Sequence, residues 1–265
     1  MIRRWVTLVE TDVWASLGEW RWWGVVGMAF ITASIAIFNV RHGPAPANVW
    51  DVFLSVLNNP MEAIILWPVG FLTLLADFSR RDHQGWGVFR WCRAASRVDW
   101  WLAKVAAIAV LAGVYTGIVT LVVSLCSLAA VPFAWHWSPL VWAIHWQYTG
   151  GLARAWLRVP PPRVGLDVIG LWFAGLWAIG TVLNAVTVWT QTAIGGWLVS
   201  VLVALGSYEM WSTHSGLLRW APMVQVLLQA HSPQLSLAWS WMFDGGMVTA
   251  ATVVGWLASR RQIWP

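Results

Sequence analysis

The chain has 265 residues, of which 59% are hydrophobic and only 10% charged, and its mean hydropathy is +0.63. That little charge cannot cover a water-soluble domain, so the composition predicts an all-α integral membrane protein. A net charge of +5 and a pI near 10.0 would suit nucleic acid, but the basic residues lie in short segments beside apolar runs, which excludes that partner and points to orientation in a bilayer.

At the start of the chain, Ile2, Trp5, Val6, Val9, Val13 and Trp20 fall within about 100° on a helical wheel, with Arg3, Arg4, Thr7 and Thr11 opposite. This pattern predicts a helix over residues 1–20 lying in the membrane interface. No short apolar core followed by a small-residue cleavage site is present, so no removable leader is expected. Residues 22–40 are uncharged and long enough to cross about 30 Å of hydrocarbon. A second span is predicted over residues 57–77, with Glu62 near one end. The segment 79–104 then carries Arg80, Arg81, Arg90, Arg93, Arg97 and Lys104, and a short loop so basic should stay in the cytoplasm.

A third span is predicted over 105–131, followed by an interfacial stretch rich in Pro, His and Trp. Residues 168–208 hold two spans joined near "WTQTAIGG", short outer helices occupy 209–242, and a last span covers 243–258. Six spans place both termini in the cytoplasm and leave Arg154, Arg158 and Arg163 outside; eight, adding 133–151 and 221–241, would move those three inside. The six-span arrangement is preferred because the extra candidates are rich in proline and polar residues. The whole chain reads as one membrane domain. Its 26 tryptophans fit an aromatic belt and lipid-facing surface, since an indole sits well at the headgroup level.

Several chemistries lack their residues. The only lysine follows Ala103, where a Walker A loop needs glycine, and neither a H-E-x-x-H nor a G-x-S-x-G motif is present, so no catalytic or metal site is predicted on this chain. No disulfide framework follows from Cys92 and Cys126. The acids Glu62, Asp77, Asp167, Glu209 and Asp244 fall near predicted span ends, and His136 and His145 read as interfacial. Polar groups at depth are Tyr115, Thr116, Asn184, Thr187 and Ser200, candidates for a translocation path or for helix-helix bonding. Ala109, Gly113 and Gly117 form a small-residue stripe that predicts close helix packing.

Within the basic loop, Val88, Trp91, Cys92 and Ala95 make one apolar face, with Arg90, Arg93 and Arg97 opposite beside Trp86. By itself this describes an amphipathic cytoplasmic helix that can meet anionic membrane lipid. The order Asp82, Gly85, the apolar and basic run 86–93, Ser96-Arg97 and then Lys104 resembles the cytoplasmic segment of ABC type 2 permeases, the membrane subunits of ABC exporters. Asp82 stands where that family more often has Glu, and Ala94-Ala95 where a proline often precedes Ser-Arg. The stretch "GTVLNAVTVWTQTAIGGWLVSVLVAL" is similar to the family's fourth span, turn and fifth span.

The resemblance implies that the loop is a coupling helix, with Trp86, Phe89, Arg90, Arg93, Arg97 and Asp99 meeting a separate ATPase subunit that binds Mg-ATP. It also implies a second permease chain, identical or homologous, and residence in the plasma membrane. This chain would carry no cofactor and no enzymatic activity of its own. The competing expectation is an ATP-independent membrane scaffold or assembly factor whose basic loop binds lipid or a regulator.

Overall fold

In hydrocarbon a chain satisfies its backbone polar groups most simply as α-helix. Helices are the only regular elements in this computed structural model, which describes residues 2–76, 78, 96–143, 156–231 and 236–261. Helix α1 (Ile2–Leu17) is followed by α2 (Arg21–Arg41) and α3 (Val49–Leu57). A π-helical turn (Glu62–Leu66) leads directly into α4 (Trp67–Leu75). After the basic loop come α5 (Arg97–Ala130), the short α6 (Pro139–Ala143), α7 (Pro161–Thr190), α8 (Ala193–Ser212) and α9 (Leu237–Arg261).

Among the described residues four helices, α2, α5, α7 and α8, are long and apolar enough to cross a membrane, and the pair formed by α3 and the segment Glu62–Leu75 passes the same test as a fifth if its two bent halves are taken as one span. The chain is therefore an all-α protein with membrane-spanning character. The bend, 54°, falls at Asn58, Asn59 and Pro60. Proline has no amide hydrogen to continue the ladder, and the extra residue of the π-turn re-phases the helix beyond it. In place of one continuous helix over the predicted 57–77, the structure has a helix that begins at Val49, under a reciprocal cap between Asn48 and Asp51, breaks at 58–60 and runs on to Leu75.

The predicted boundaries elsewhere shift outwards. Helix α5 starts eight residues before the apolar run at 105, because the Ser96 hydroxyl caps it by accepting from the Asp99 amide. The joint near "WTQTAIGG" is a tight turn, with Gln191 left-handed at φ 60° and Thr192 capping α8. Of the two additional spans, the described part of 133–151 contains only the five-residue α6. The stretch 221–241 begins as 3-10 turns, Pro222–Val226 and Leu228–Ala230, rather than as a continuous helix.

Contacts sort the connections into two ends. At one, the Lys104 ammonium meets Asp12 of α1 at 2.9 Å and lies 4.5 Å from the Phe78 ring, and Arg97 donates to the Arg260 carbonyl at the end of α9. At the other, Arg41 donates to the Ala130 carbonyl, Trp50 to that of Ala134 and Asn48 to that of His136. Exposed tryptophans occur at both, Trp14, Trp20 and Trp23 at the first and Trp135, Trp142 and Trp220 at the second, as membrane interfaces favour. Not all of the tryptophans are belt or filler, however. Trp22, Trp67, Trp100, Trp101, Trp137 and Trp172 are buried and form part of the core.

The face of α1 is also rotated from the one predicted. Leu8, Asp12, Val13 and Ser16 are buried, whereas Val6 and Trp20 are exposed, because the ion pair to Lys104 draws the Asp12 side inward. Along the predicted stripe of Ala109, Gly113 and Gly117, both glycines are exposed among the described residues. A methyl group added at Gly117 would meet nothing within 4 Å, and one at Gly113 would meet only the Phe173 ring, at 3.8 Å. Close approaches include Gly175 against Val226, Gly196 against Thr187 and Gly255 against the Trp101 indole.

Candidate functional site

Of the predicted coupling residues, Trp86, Phe89, Arg90 and Arg93 lie outside the described residues, as do Asp77 and His145. Arg97 and Asp99 are described, and both serve the end of the bundle. Asp99 accepts from the Ser96 hydroxyl at 2.8 Å within the cap of α5, and Arg97 donates to the carbonyls of Ser259 and Arg260. A cation on the last carbonyls of a helix satisfies groups that have no intrahelical donor and opposes the negative end of the dipole. Seven residues further along α5, Lys104 is buried between α1 and α5 with Asp12, Phe78 and Trp100 around it. The basic loop is thus flanked on its C-terminal side by two cations that tie α5 to α1 and to α9. From sequence, Lys104 reads as a charge that sets orientation; Asp12, its partner 92 positions earlier, carries no signal of pairing.

The polar groups predicted at depth are all buried among the helices: Tyr115, Thr116, Asn184, Thr187 and Ser200. Tyr115 donates to the Trp67 carbonyl at 3.0 Å, and Ser200 to the carbonyl of Gly196 one turn before it. None of them lines the polar cavity beside Glu62. That cavity, about 420 Å³, lies between the last turns of α2 and the broken crossing, bounded by Ile35, Ala36, Asn39, His42, Ser55, Asn59 and Glu62. Five of these seven are polar, and Glu62 opens the π-turn with one carboxylate oxygen buried and unbonded among the described residues. Such a lining can take a cationic or hydroxyl-bearing group. The sequence supplies Glu62 but not the cavity, which depends on the bend that the Asn-Asn-Pro break produces.

A second polar assembly joins the 3-10 segment to α9. Residues predicted as outer short helices are core here, with Ala221, Met223, Val224, Leu227 and Leu228 fully buried. The segment is pinned to the broken crossing, as the Leu228 amide donates to the Asn58 side chain and the Gln229 side chain to the Asn58 carbonyl. On its other face His231, Gln225 and Ser240 form a buried chain, with His231 Nε2 and Gln225 Oε1 each 2.8 Å from the Ser240 hydroxyl. One turn along α9 lies Asp244, buried, with neither oxygen bonded among the described residues. Helix α9 begins at Leu237, six residues before the span predicted from residue 243, so Asp244 lies two turns inside the helix.

A serine beside a histidine suggests nucleophilic catalysis, but here Gln225 competes with the histidine for the same hydroxyl proton. The Gln225 amide nitrogen donates to the carbonyls of Arg219 and Ala221, so its oxygen faces Ser240 and takes the hydroxyl proton. Activation would need that proton on the line to the histidine. Among the described residues, no three His, Cys, Asp or Glu side chains gather to hold a metal ion. No family model matches the chain, and no curated protein is significantly similar to it.

Proposed function

We propose that the chain is the membrane-spanning permease subunit of an ABC transporter, an exporter, working with a separate ATPase subunit and a second permease chain in the plasma membrane. In this reading it crosses six times, with α9 as the sixth span and both termini in the cytoplasm. Helix α9 has 25 residues, long enough by about 1.5 Å each, and the polar residues that lower its hydropathy, Ser240 and Asp244, are buried against the protein. Support comes first from the sequence pattern of the basic loop. The observation that carries the reading is that the helices beginning and ending beside that loop are bonded together there, through Lys104–Asp12 and Arg97–Arg260.

The mechanism follows from that arrangement. A partner gripping Arg90, Arg93 and the neighbouring aromatic side chains would gain charge complementarity and desolvated anchors. Nucleotide-driven closure of the partner would displace the loop, and α5, held rigidly at its start, would carry the motion to the far end of the bundle. The cavity beside Glu62 lies at the other end of that path, where α5 meets α2 through the bond from Arg41 to Ala130.

The test uses Arg90→Glu with Arg93→Glu, because Arg97 has an internal bonding role. The doubly substituted protein should express and fold as the wild type does, yet lose co-purification with its ATPase and stimulation of ATP hydrolysis. Undiminished assembly with the ATPase would remove this reading and favour the scaffold.

A further inference from the structure

The break at Asn58, Asn59 and Pro60 leaves a hollow between the bent helix pair and α2, and the break is held in place by the bonds from Leu228 and Gln229 to Asn58. Beyond the proline, Glu62 opens the π-turn, whose wider ring closes as the Trp67 amide donates to the Glu62 carbonyl. The Glu62 side chain is the one carboxylate among the described residues lining the cavity, and one of its oxygens is buried with no hydrogen-bond partner among them. An acceptor so placed costs free energy until a hydrogen reaches it. Arg41, beside the lining residue His42, does not supply one, because its Nε and Nη2 both donate to the Ala130 carbonyl.

The rest of the lining adds short polar groups without a second acid. Ser55 gives its hydroxyl hydrogen to the Asp51 carbonyl at 2.6 Å, so towards a ligand its oxygen can only accept. Asn59 accepts from the Met61 amide with its side-chain oxygen, so its remaining hydrogens are those of the amide nitrogen, and Asn39 carries one group of each kind. An ammonium answers the acid and the serine, and hydroxyls answer the two amides. We propose that this cavity binds a protonated primary amine carried on a hydroxylated molecule or headgroup, with the ammonium on Glu62.

The volume, about 420 Å³, suits a small organic group, since such sites run from roughly 300 to 1,000 Å³. A quaternary ammonium has no hydrogen to give and prefers an aromatic cage, whereas the only ring among the described lining residues is the His42 imidazole. A calcium ion asks for several oxygen ligands with more than one carboxylate, which this lining does not have. Ile35 borders the same cavity and continues an exposed apolar strip of α2 with Ile31 and Phe38, so the amine can come from water or as the headgroup of an aminophospholipid. Neither the site nor its test requires the transporter reading, for binding is measured on this chain without an ATPase.

Ligand-dependent thermal unfolding of the purified full-length protein in an uncharged detergent gives an apparent Kd for each probe. Glucamine, a protonated primary amine on a polyol chain, should bind about tenfold or more tightly than sorbitol, which has a hydroxyl in place of the amine. Choline should bind no better than sorbitol. Glu62→Gln keeps the shape of the side chain and should bring the glucamine and sorbitol values together, without lowering the ligand-free unfolding temperature, because the buried oxygen has no internal bond to lose. Asn39→Leu, at an exposed position on α2, tests the same lining without touching the acid and should weaken glucamine about threefold or more. In nanodiscs, weaker glucamine binding in phosphatidylethanolamine than in phosphatidylcholine makes the occupant a lipid headgroup, and equal binding in both makes it a soluble amine; either supports the site. Equal affinity for glucamine and sorbitol in the wild type overturns the proposal, as does a preference for glucamine that survives Glu62→Gln.

Discussion

Lys104 is the only lysine in the chain and is almost entirely buried, which makes its pairing with Asp12 the sharpest energetic commitment at the level of single residues. A buried ammonium is tolerable only with a carboxylate and aromatic faces around it, and Asp12, Phe78 and Trp100 supply these. Removing one member strands the other charge. Lys104→Ala or Asp12→Ala should each cost about 3–5 kcal/mol of unfolding free energy, whereas Lys104→Met with Asp12→Leu should recover most of that loss. Denaturant unfolding followed by tryptophan fluorescence, arranged as a double-mutant cycle, measures the coupling. Single losses that simply add would mean the two groups do not act as a pair.

At the scale of elements, α9 lies along α7 and touches α5 at one place where the seam has no spare room: Trp101 fills the space that any side chain at Gly255 would need, and its indole donates to the Thr252 carbonyl at 2.7 Å. Between helices in lipid there is little hydrophobic gain, so close packing and such bonds supply the attraction. Gly255→Ala should therefore destabilise by about 1–3 kcal/mol, the usual cost of overpacking. Trp101→Phe, shorter at the point of contact, should restore part of that loss in the double variant although it is itself destabilising. A thermal shift unchanged by Gly255→Ala would mean that α9 does not pack on α5 as described. The contrast with the small-residue stripe shows what a single sequence conveys. Apolar run lengths disclose the long helices to within a few residues at most ends, because hydrocarbon thickness dictates them. The partner of a glycine is not written in its spacing: Gly113 and Gly117 repeat regularly and face outward, while the isolated Gly255 makes the tightest contact. For the same reason Asp12, Gln225, Ser240 and His231 carry no mark in the sequence of belonging to working sets, being brought to their partners only by the bend at Asn58–Pro60 and the inward course of the 3-10 segment.

For the whole molecule, the two groups of end contacts are what the proposed even number of crossings has to satisfy. Helix α1, the start of α5 and the end of α9 meet at one end, and the end of α2, the Asn48 cap, the end of α5 and residues 134–136 meet at the other. Helix α5 joins them with 34 residues, about 50 Å at 1.5 Å each, which exceeds the thickness of a hydrocarbon core. In the six-span reading proposed above, the charge rule puts the basic loop in the cytoplasm, since Arg80, Arg81, Arg90, Arg93 and Arg97 outnumber Arg154, Arg158 and Arg163. The two cysteines make this testable without foreign tags, because Cys92 lies in the basic loop and Cys126 in the last turns of α5. In a Cys126→Ala protein, a membrane-impermeant maleimide should leave Cys92 unmodified in intact cells and label it in inside-out vesicles. Labelling from the outside would place the loop on the wrong face for any cytoplasmic ATPase and would reverse every end assigned here, whereas protection in both preparations that persists after detergent solubilisation would mean that Cys92 is covered by protein rather than by the bilayer.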